Sequence, residues 1–254
     1  MDKVTAIKLA SATSSFYRQV AGSFARTRAH PWSGWNRCVE ALGISEGASG
    51  TIVDLGCGNL RFERYMAERF GDLKLSFICV DNCEELVTEV GELRGLSIEL
   101  VHEDLISTWI EGRELSGALV GRNASHVVAF GLMHHIPGFE NRIRALRSMA
   151  SICRPGGSIA LSFWCFDGTE ELTEKARAKT EELSSVAGIA PANLDEGDYL
   201  LGWQERTDVC RYCHSFSEAE VDRCIEALRG ICVPIARFDD EGDRFNRYLV
   251  MRVL

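Results

Sequence analysis

Apolar and polar positions follow two periods along this chain. Residues 5–28 carry Ile7, Phe16, Val20 and Phe24 at helical spacing, and 35–44 repeat the pattern from Trp35 through Val39 to Leu42. Short apolar runs then alternate with helical stretches. Strands are predicted over 51–55, 75–80, 97–101, 126–131 and 158–164. Helices are predicted over 60–70, from a capping-box pattern at Asn82-x-x-Glu85, and over 139–153, where Arg154-Pro155-Gly156-Gly157 stops the helix. Regularity lapses over 165–216, which reads as a charged helix (169–186) and a long loop-rich insertion of the kind that forms lids. Ser217-x-x-Glu220 caps a last helix reaching about 229, and strands 231–238 and 246–253, joined through Asp239–Asp243, read as an antiparallel hairpin. The expected fold is α/β: one domain over 1–254, with an open, seven-stranded, mostly parallel sheet, helices on both faces and an N-terminal helical cover over 1–45.

Composition narrows the classes. A chain of 254 residues is long enough for one α/β domain with a full core. No apolar run reaches the length of a membrane span, and Met1-Asp2-Lys3 lacks a basic-then-apolar leader, so the expected location is cytoplasmic with no membrane partner. Ten cysteines in such a chain do not read as a disulfide framework, and several, Cys79, Cys165 and Cys232, sit inside apolar strand patterns and read as small core residues. Cys210-Arg-Tyr-Cys213 has no second Cys-x-x-Cys to complete a metal site, so no metal is expected. The net charge of −9 argues against broad phosphate-driven nucleic-acid binding while allowing a local basic patch.

The most informative segment is Ile52-Val53-Asp54-Leu55-Gly56-Cys57-Gly58-Asn59-Leu60. An apolar strand ends in an acid and then in Gly-x-Gly, where a backbone must pass close to a bulky ligand. Arg61 occupies the third glycine position of the dinucleotide fingerprint, which disfavours a nicotinamide cofactor. The segment resembles motif I of the Rossmann-like, class I S-adenosylmethionine (SAM) methyltransferases. That resemblance implies SAM as cofactor, with S-adenosylhomocysteine as product. Gly56, Cys57 and Gly58 would then line the turn. Asp54 would anchor it or reach the methionine amino group through water. Asp81 and Asn82, ending the second strand, would meet the ribose. Asp104 would accept from the adenine amino group with Leu105 over the ring, and Phe130 or Gly131 would face the methionine part. Tyr17 and Arg28 of the cover complete the cofactor set. An acid at a strand end is also a common helix N-cap, the alternative reading for Asp81 and Asp104.

A second resemblance is more specific. Phe24-Ala-Arg-Thr27-Arg28-Ala-His-Pro31-Trp32, Leu132-Met133-His134-His135-Ile136, Arg211-Tyr212-Cys213-His214-Ser215-Phe216 and Asn246-Arg247-Tyr248 resemble, in order, segments of the Trm9/ALKBH8-type tRNA methyltransferases, over about residues 13–252. Those enzymes esterify the carboxylate of 5-carboxymethyluridine at the wobble position, and eukaryotic members use a small Trm112 partner subunit. Ser33, Leu60, Cys83 and Cys213 depart from the family pattern.

The implied chemistry needs alignment more than acid–base help. A carboxylate is already ionised at neutral pH, so it requires a cationic clamp and no base, and arginine suits it. Arg26, His134 and His135 are the expected catalytic residues; Trp32, Arg211, Tyr212 and His214 are the expected acceptor contacts. Arg28 is expected to hold the carboxylate of SAM, although it suits the acceptor equally. Three acceptor readings follow: tRNA with or without a Trm112-like subunit, a small-molecule acid, or none, in a non-catalytic SAM-binding subunit. A basic stripe on the cleft rim would favour tRNA, with Arg61, Arg64, Arg142, Arg144, Arg147 and Arg211 as candidates.

Overall fold

The computed structural model describes residues 1–28, 30–70, 74–87, 93, 96–240 and 245–254. Helix α1 (Lys3–Arg26) begins at Asp2, whose carboxylate accepts from the backbone N–H groups of Val4 and Thr5. Helix α2 (Trp35–Leu42) ends at Gly43 in the left-handed conformation. There follow β1 (Ser49–Leu55), α3 (Arg61–Arg69), β2 (Lys74–Asp81), β3 (Ser97–His102), α4 (Leu105–Glu111), β4 (Ala124–Ala129), α5 (Phe139–Ile152) and β5 (Cys153–Trp164). Then come α6 (Glu170–Ala187), β6 (Asp198–Trp203), β7 (Arg206–His214), α7 (Glu218–Glu226), β8 (Cys232–Asp239) and β9 (Asn246–Val253).

Seven strands form one sheet in the order β3-β2-β1-β4-β5-β9-β8, and only β9 runs antiparallel to its neighbours. The chain leaves β1 toward β2 on one side and returns to β4 on the other. The crevice above the carboxyl ends of β1 and β4 is therefore the switch point at which such sheets take ligands. Two apolar layers flank the sheet. One joins Val53, Ile78, Val127 and Ile159 to Trp109, Ile143 and Met149; the other joins Ile52, Phe77 and Val250 to Trp35, Val39, Phe62 and Met66. Alternate residues of one strand thus enter opposite layers, as the pleat requires.

Three expectations are corrected. The charged helix predicted over 169–186 is α6, but the loop-rich stretch predicted after it contains an antiparallel β6–β7 hairpin, which packs on α1 and α6 through Leu9, Leu183, Leu200 and Tyr212. Period-2 alternation in Val209–His214 was masked because both faces of β7 are buried. Helix α4, a short element after β3, was also unforeseen; Asp104 caps it through the Ser107 N–H and hydroxyl. Residues 82–87 form turns, not a helix opened by Asn82, and most of 88–95 and 241–244 lie outside the described residues.

Candidate active site

The carboxyl ends of β1, β2 and β4 meet α1 across a cleft of about 530 Å³. On the sheet side, Gly56 and Gly58 have φ of +79° and +53°, and a Cβ at Gly58 would project into open space beside the cleft. Glycine at both positions allows the turn and leaves room for a ligand to approach. The turn is tied to β2 twice: Gly56 N–H donates to the Val80 carbonyl at 2.8 Å, and Gly58 N–H donates to Asp81 Oδ2 at 2.9 Å. Asp81 Oδ1 accepts from Cys83 N–H at 2.9 Å. Burial pushes the Asp81 carboxyl up, against these backbone donors. Lone pairs remain on both oxygens for further donors, as a diol would supply.

Asp54 is buried and faces Glu63, which is fully buried on α3. Desolvation, followed by repulsion from Glu63, holds the Asp54 carboxyl well above the carboxylate range; desolvation also raises Glu63. The Cys79 thiol donates to Glu63 Oε1 at 3.2 Å, and Glu63 Oε2 has no hydrogen-bond partner among the described residues. Glu63 was missed in the sequence. Its signal was an acid beside Phe62 and Met66 on the apolar face of α3.

The opposite wall is cationic and aromatic. Arg28 and Arg211 both line the cleft, and neither has a carboxylate within ion-pair distance among the described residues. Arg211 is 8% exposed, packs over Phe16 and Trp164, and has an Nε without a hydrogen-bond partner. Arg28 lies over Phe24 and Trp203; burial and then repulsion from Arg211 lower its pKa. Two guanidinium groups without ion-pair partners among the described residues make this wall of the cavity suited to an anion.

Between them stand Tyr17 and the two histidines. His135 Nδ1 donates to the Tyr212 carbonyl at 2.8 Å, so its Nε2 accepts from the Tyr17 hydroxyl at 2.7 Å. Burial, then repulsion from Arg211, holds the His135 pKa down to about 3, and burial raises that of Tyr17 to about 12. Both groups are therefore neutral at pH 7. His134 packs on Trp164 and has a buried Nδ1 without a partner. Burial and then His135 push its pKa well below the ordinary value. It presents a neutral imidazole to the cleft. His134, His135 and Cys213 place donor atoms within 4.8 Å of one another, but both His135 nitrogens are engaged and Arg211 adjoins the trio, which disfavours a cation.

Residues 52–157 match the family model described as a methyltransferase domain. The chain carries a class I SAM-dependent methyltransferase domain. A protein of Encephalitozoon cuniculi described as a methyltransferase is 24% identical over 84% of each chain. The tRNA (carboxymethyluridine(34)-5-O)-methyltransferase ALKBH8 of Macaca fascicularis is 26% identical over 59% of this chain, a match that spans 19% of its own length. Among solved structures, DhpI in complex with SAH shares the fold, with a TM-score of 0.60 at 16% identity, over 96% of this chain and 97% of that chain.

SAM is the cofactor of this methyltransferase, and the sheet-side wall fits it: a glycine turn open to the cleft and a carboxylate at the end of β2 with acceptor capacity to spare. When bound, SAM supplies an electrophilic methyl group. Of the residues expected to hold it, Tyr17, Arg28, Asp54, Gly56, Cys57, Gly58, Asp81, Asn82, Asp104 and Phe130 all line the cleft. Leu105 does not; it is buried in the core, and Ile106 takes the lining position. Of the expected catalytic and acceptor residues, His134, His135, Trp32 and Arg211 line the cleft. Arg26 is exposed on the last turn of α1, outside the lining, whereas Arg28, beyond the Thr27 cap, lines the cleft. Tyr212 and His214 are also outside it; their side chains lie on the opposite face of β7, buried against α5 and α7. Trp164 was missed: it ends β5 and floors the cleft beneath His134.

Proposed function

We propose that this methyltransferase transfers the SAM methyl group to a carboxylate oxygen of an anionic acceptor. The reading rests on Arg28 and Arg211, two arginines in one cleft without an acidic partner among the described residues. A bound carboxylate relieves their repulsion and is already the nucleophile, which suits a site whose histidines are neutral. Arg211 is assigned to the acceptor and Arg28 to the carboxylate of SAM. Neutral His134 completes the acceptor's hydrogen bonds, and Trp32, packed beside Gly131, offers a face for a base or ring. Asp81 takes the ribose, and Asp104, already engaged as the cap of α4, accepts from the adenine amino group through a remaining lone pair.

The acceptor favoured by the sequence relatives is tRNA bearing 5-carboxymethyluridine, with a small activating subunit of the Trm112 kind as a candidate partner. A small-molecule acid is the second reading, and a specific observation favours it. Of the six rim arginines expected, only Arg61 and Arg211 line the cleft, and Arg142 is buried against Glu220. Methyl-labelled SAM offered with 5-carboxymethyluridine tRNA and with a panel of small acids, with and without the partner, separates the two. Label confined to small acids excludes tRNA.

A further inference from the structure

The residues displaced from the expected acceptor site form a buried polar network behind it. His214 donates from Nδ1 to Asp198 Oδ1 and from Nε2 to Glu220 Oε2, each at 2.6 Å. With a carboxylate on both nitrogens it is an imidazolium. Burial opposes that charge, but the hydrogen bonds to Asp198 and Glu220 outweigh it and hold its pKa above the ordinary value. Asp198 Oδ1 also accepts from the Tyr212 hydroxyl at 2.6 Å. Arg142 pairs with Glu220 at 3.0 Å and donates to the Ile136 carbonyl at 3.0 Å. The His214 and Arg142 side chains are 2% and 3% exposed, so the network is desolvated.

Apolar residues of similar size would hold a hairpin against two helices at least as well as such a network. What the network adds is direction. Each bond fixes the rotation of β7, and β7 has two faces. Tyr212 and His214 enter the network, whereas Arg211 on the other face enters the cleft and Cys213 lies 3.9 Å from His135 Nδ1. The Tyr212 carbonyl fixes the His135 tautomer, and His135 fixes Tyr17, which accepts a long 3.5 Å bond from Arg211.

We propose that Asp198, His214 and Glu220 are positioning residues that lock β7 so that Arg211 and the Tyr212 carbonyl are aimed at the acceptor end of the cleft. The part acting through Arg211 rests on the reading of that arginine as the acceptor clamp; the part acting through His135 does not.

The test uses the full chain with His214→Gln and the milder Glu220→Gln. S-adenosylhomocysteine affinity serves as a check on folding, since that site lies on other strands. With an anticodon stem-loop carrying 5-carboxymethyluridine as probe, His214→Gln is expected to raise KM about 10- to 100-fold through misplacement of Arg211. Arg211→Ala is the reference, and adding His214→Gln to it is expected to cost nothing further. A KM unchanged by His214→Gln, where Arg211→Ala raises it, overturns the proposal; so do additive effects. If Arg211→Ala is silent, the acceptor reading fails and the Arg211 arm with it. The other arm is read without an acceptor, from histidine 15N spectra. His214 is expected as a doubly protonated ring and His135 as the Nδ1–H tautomer, and either glutamine variant should move the His135 signals. Unmoved His135 signals, with S-adenosylhomocysteine still bound, overturn the proposal whatever the acceptor is.

Discussion

The wall of the cleft built by the sheet meets its ligand with backbone turns and carboxylates, whereas the wall built by α1 and β7 meets it with guanidinium groups and aromatic rings. The first is local: Asp54, Gly56 and Gly58 lie within five residues of one another, and Asp81 is reached by adjacent-strand pairing. The second is assembled from positions nearly 200 residues apart, with Tyr17 on α1 against Arg211 on β7. The difference separates two tasks. A cofactor site can be fixed by a strand end and its neighbour, while an acceptor site can be rebuilt by changing what packs over that end.

The comparison breaks most visibly at Asp81. If the sheet wall carries the cofactor, Asp81→Ala should weaken SAM binding about 100-fold or more, since hydrogen bonds to a charged group contribute about 1.5–3 kcal/mol each. Isothermal titration checks this, and an unchanged affinity removes Asp81 from the site. The opposite wall should respond in the opposite way. Arg211→Ala is expected to lower kcat/KM for the acceptor by about 2–5 kcal/mol, roughly 30-fold or more, with SAM affinity nearly intact. An Arg211 variant that loses SAM binding and acceptor turnover together would erase the division between the walls.

A smaller effect concerns the Asp54–Glu63 pair. Both carboxyls are raised above their unfolded values, so the folded chain retains a proton that the unfolded chain releases. The stability tied to that proton is fully present below the ordinary carboxylate value of about 4 and is lost as pH rises through the raised values. Glu63→Gln, which removes one of the two acids, should flatten the fall in melting temperature on the alkaline side. A fall as steep as in the parent chain would mean that the pair retains no extra proton in the folded chain. The smallest change is expected on α5. Arg144 and Arg147 are exposed and outside the cleft, so replacing both with alanine should shift stability by no more than about 0.5 kcal/mol each and leave the acceptor KM near its parent value. A selective loss with tRNA would place its backbone along that helix.

The same contrast governs what could be read from the chain. The strand-end acids and the glycine turn were legible because short apolar runs ending in Asp or Gly-x-Gly place side chains by local rules. Tyr212 and His214 were assigned to the cleft with Arg211 because the segment Arg211–Phe216 resembles one in the Trm9/ALKBH8-type family, yet alternation along β7 turns them away. Recognising that required β7 to be seen as a strand, and a strand buried on both faces has no alternating pattern to show. Glu63 was hidden for a related reason: an acid on an apolar helix face is explained only by the partner across the sheet. Leu105 and Arg26 missed by one or two residues, the distance over which a helix start or end rotates a side chain out of a cleft.

The central claim is that the cationic wall presents a carboxylate to the methyl group. The most direct test is the chemistry of the product formed with methyl-labelled SAM. Transfer to a carboxylate gives a methyl ester, so mild alkali should release the label as methanol, and Arg211→Ala should slow its formation sharply. Label that survives alkali, on nitrogen, carbon or a hydroxyl oxygen, would contradict the account.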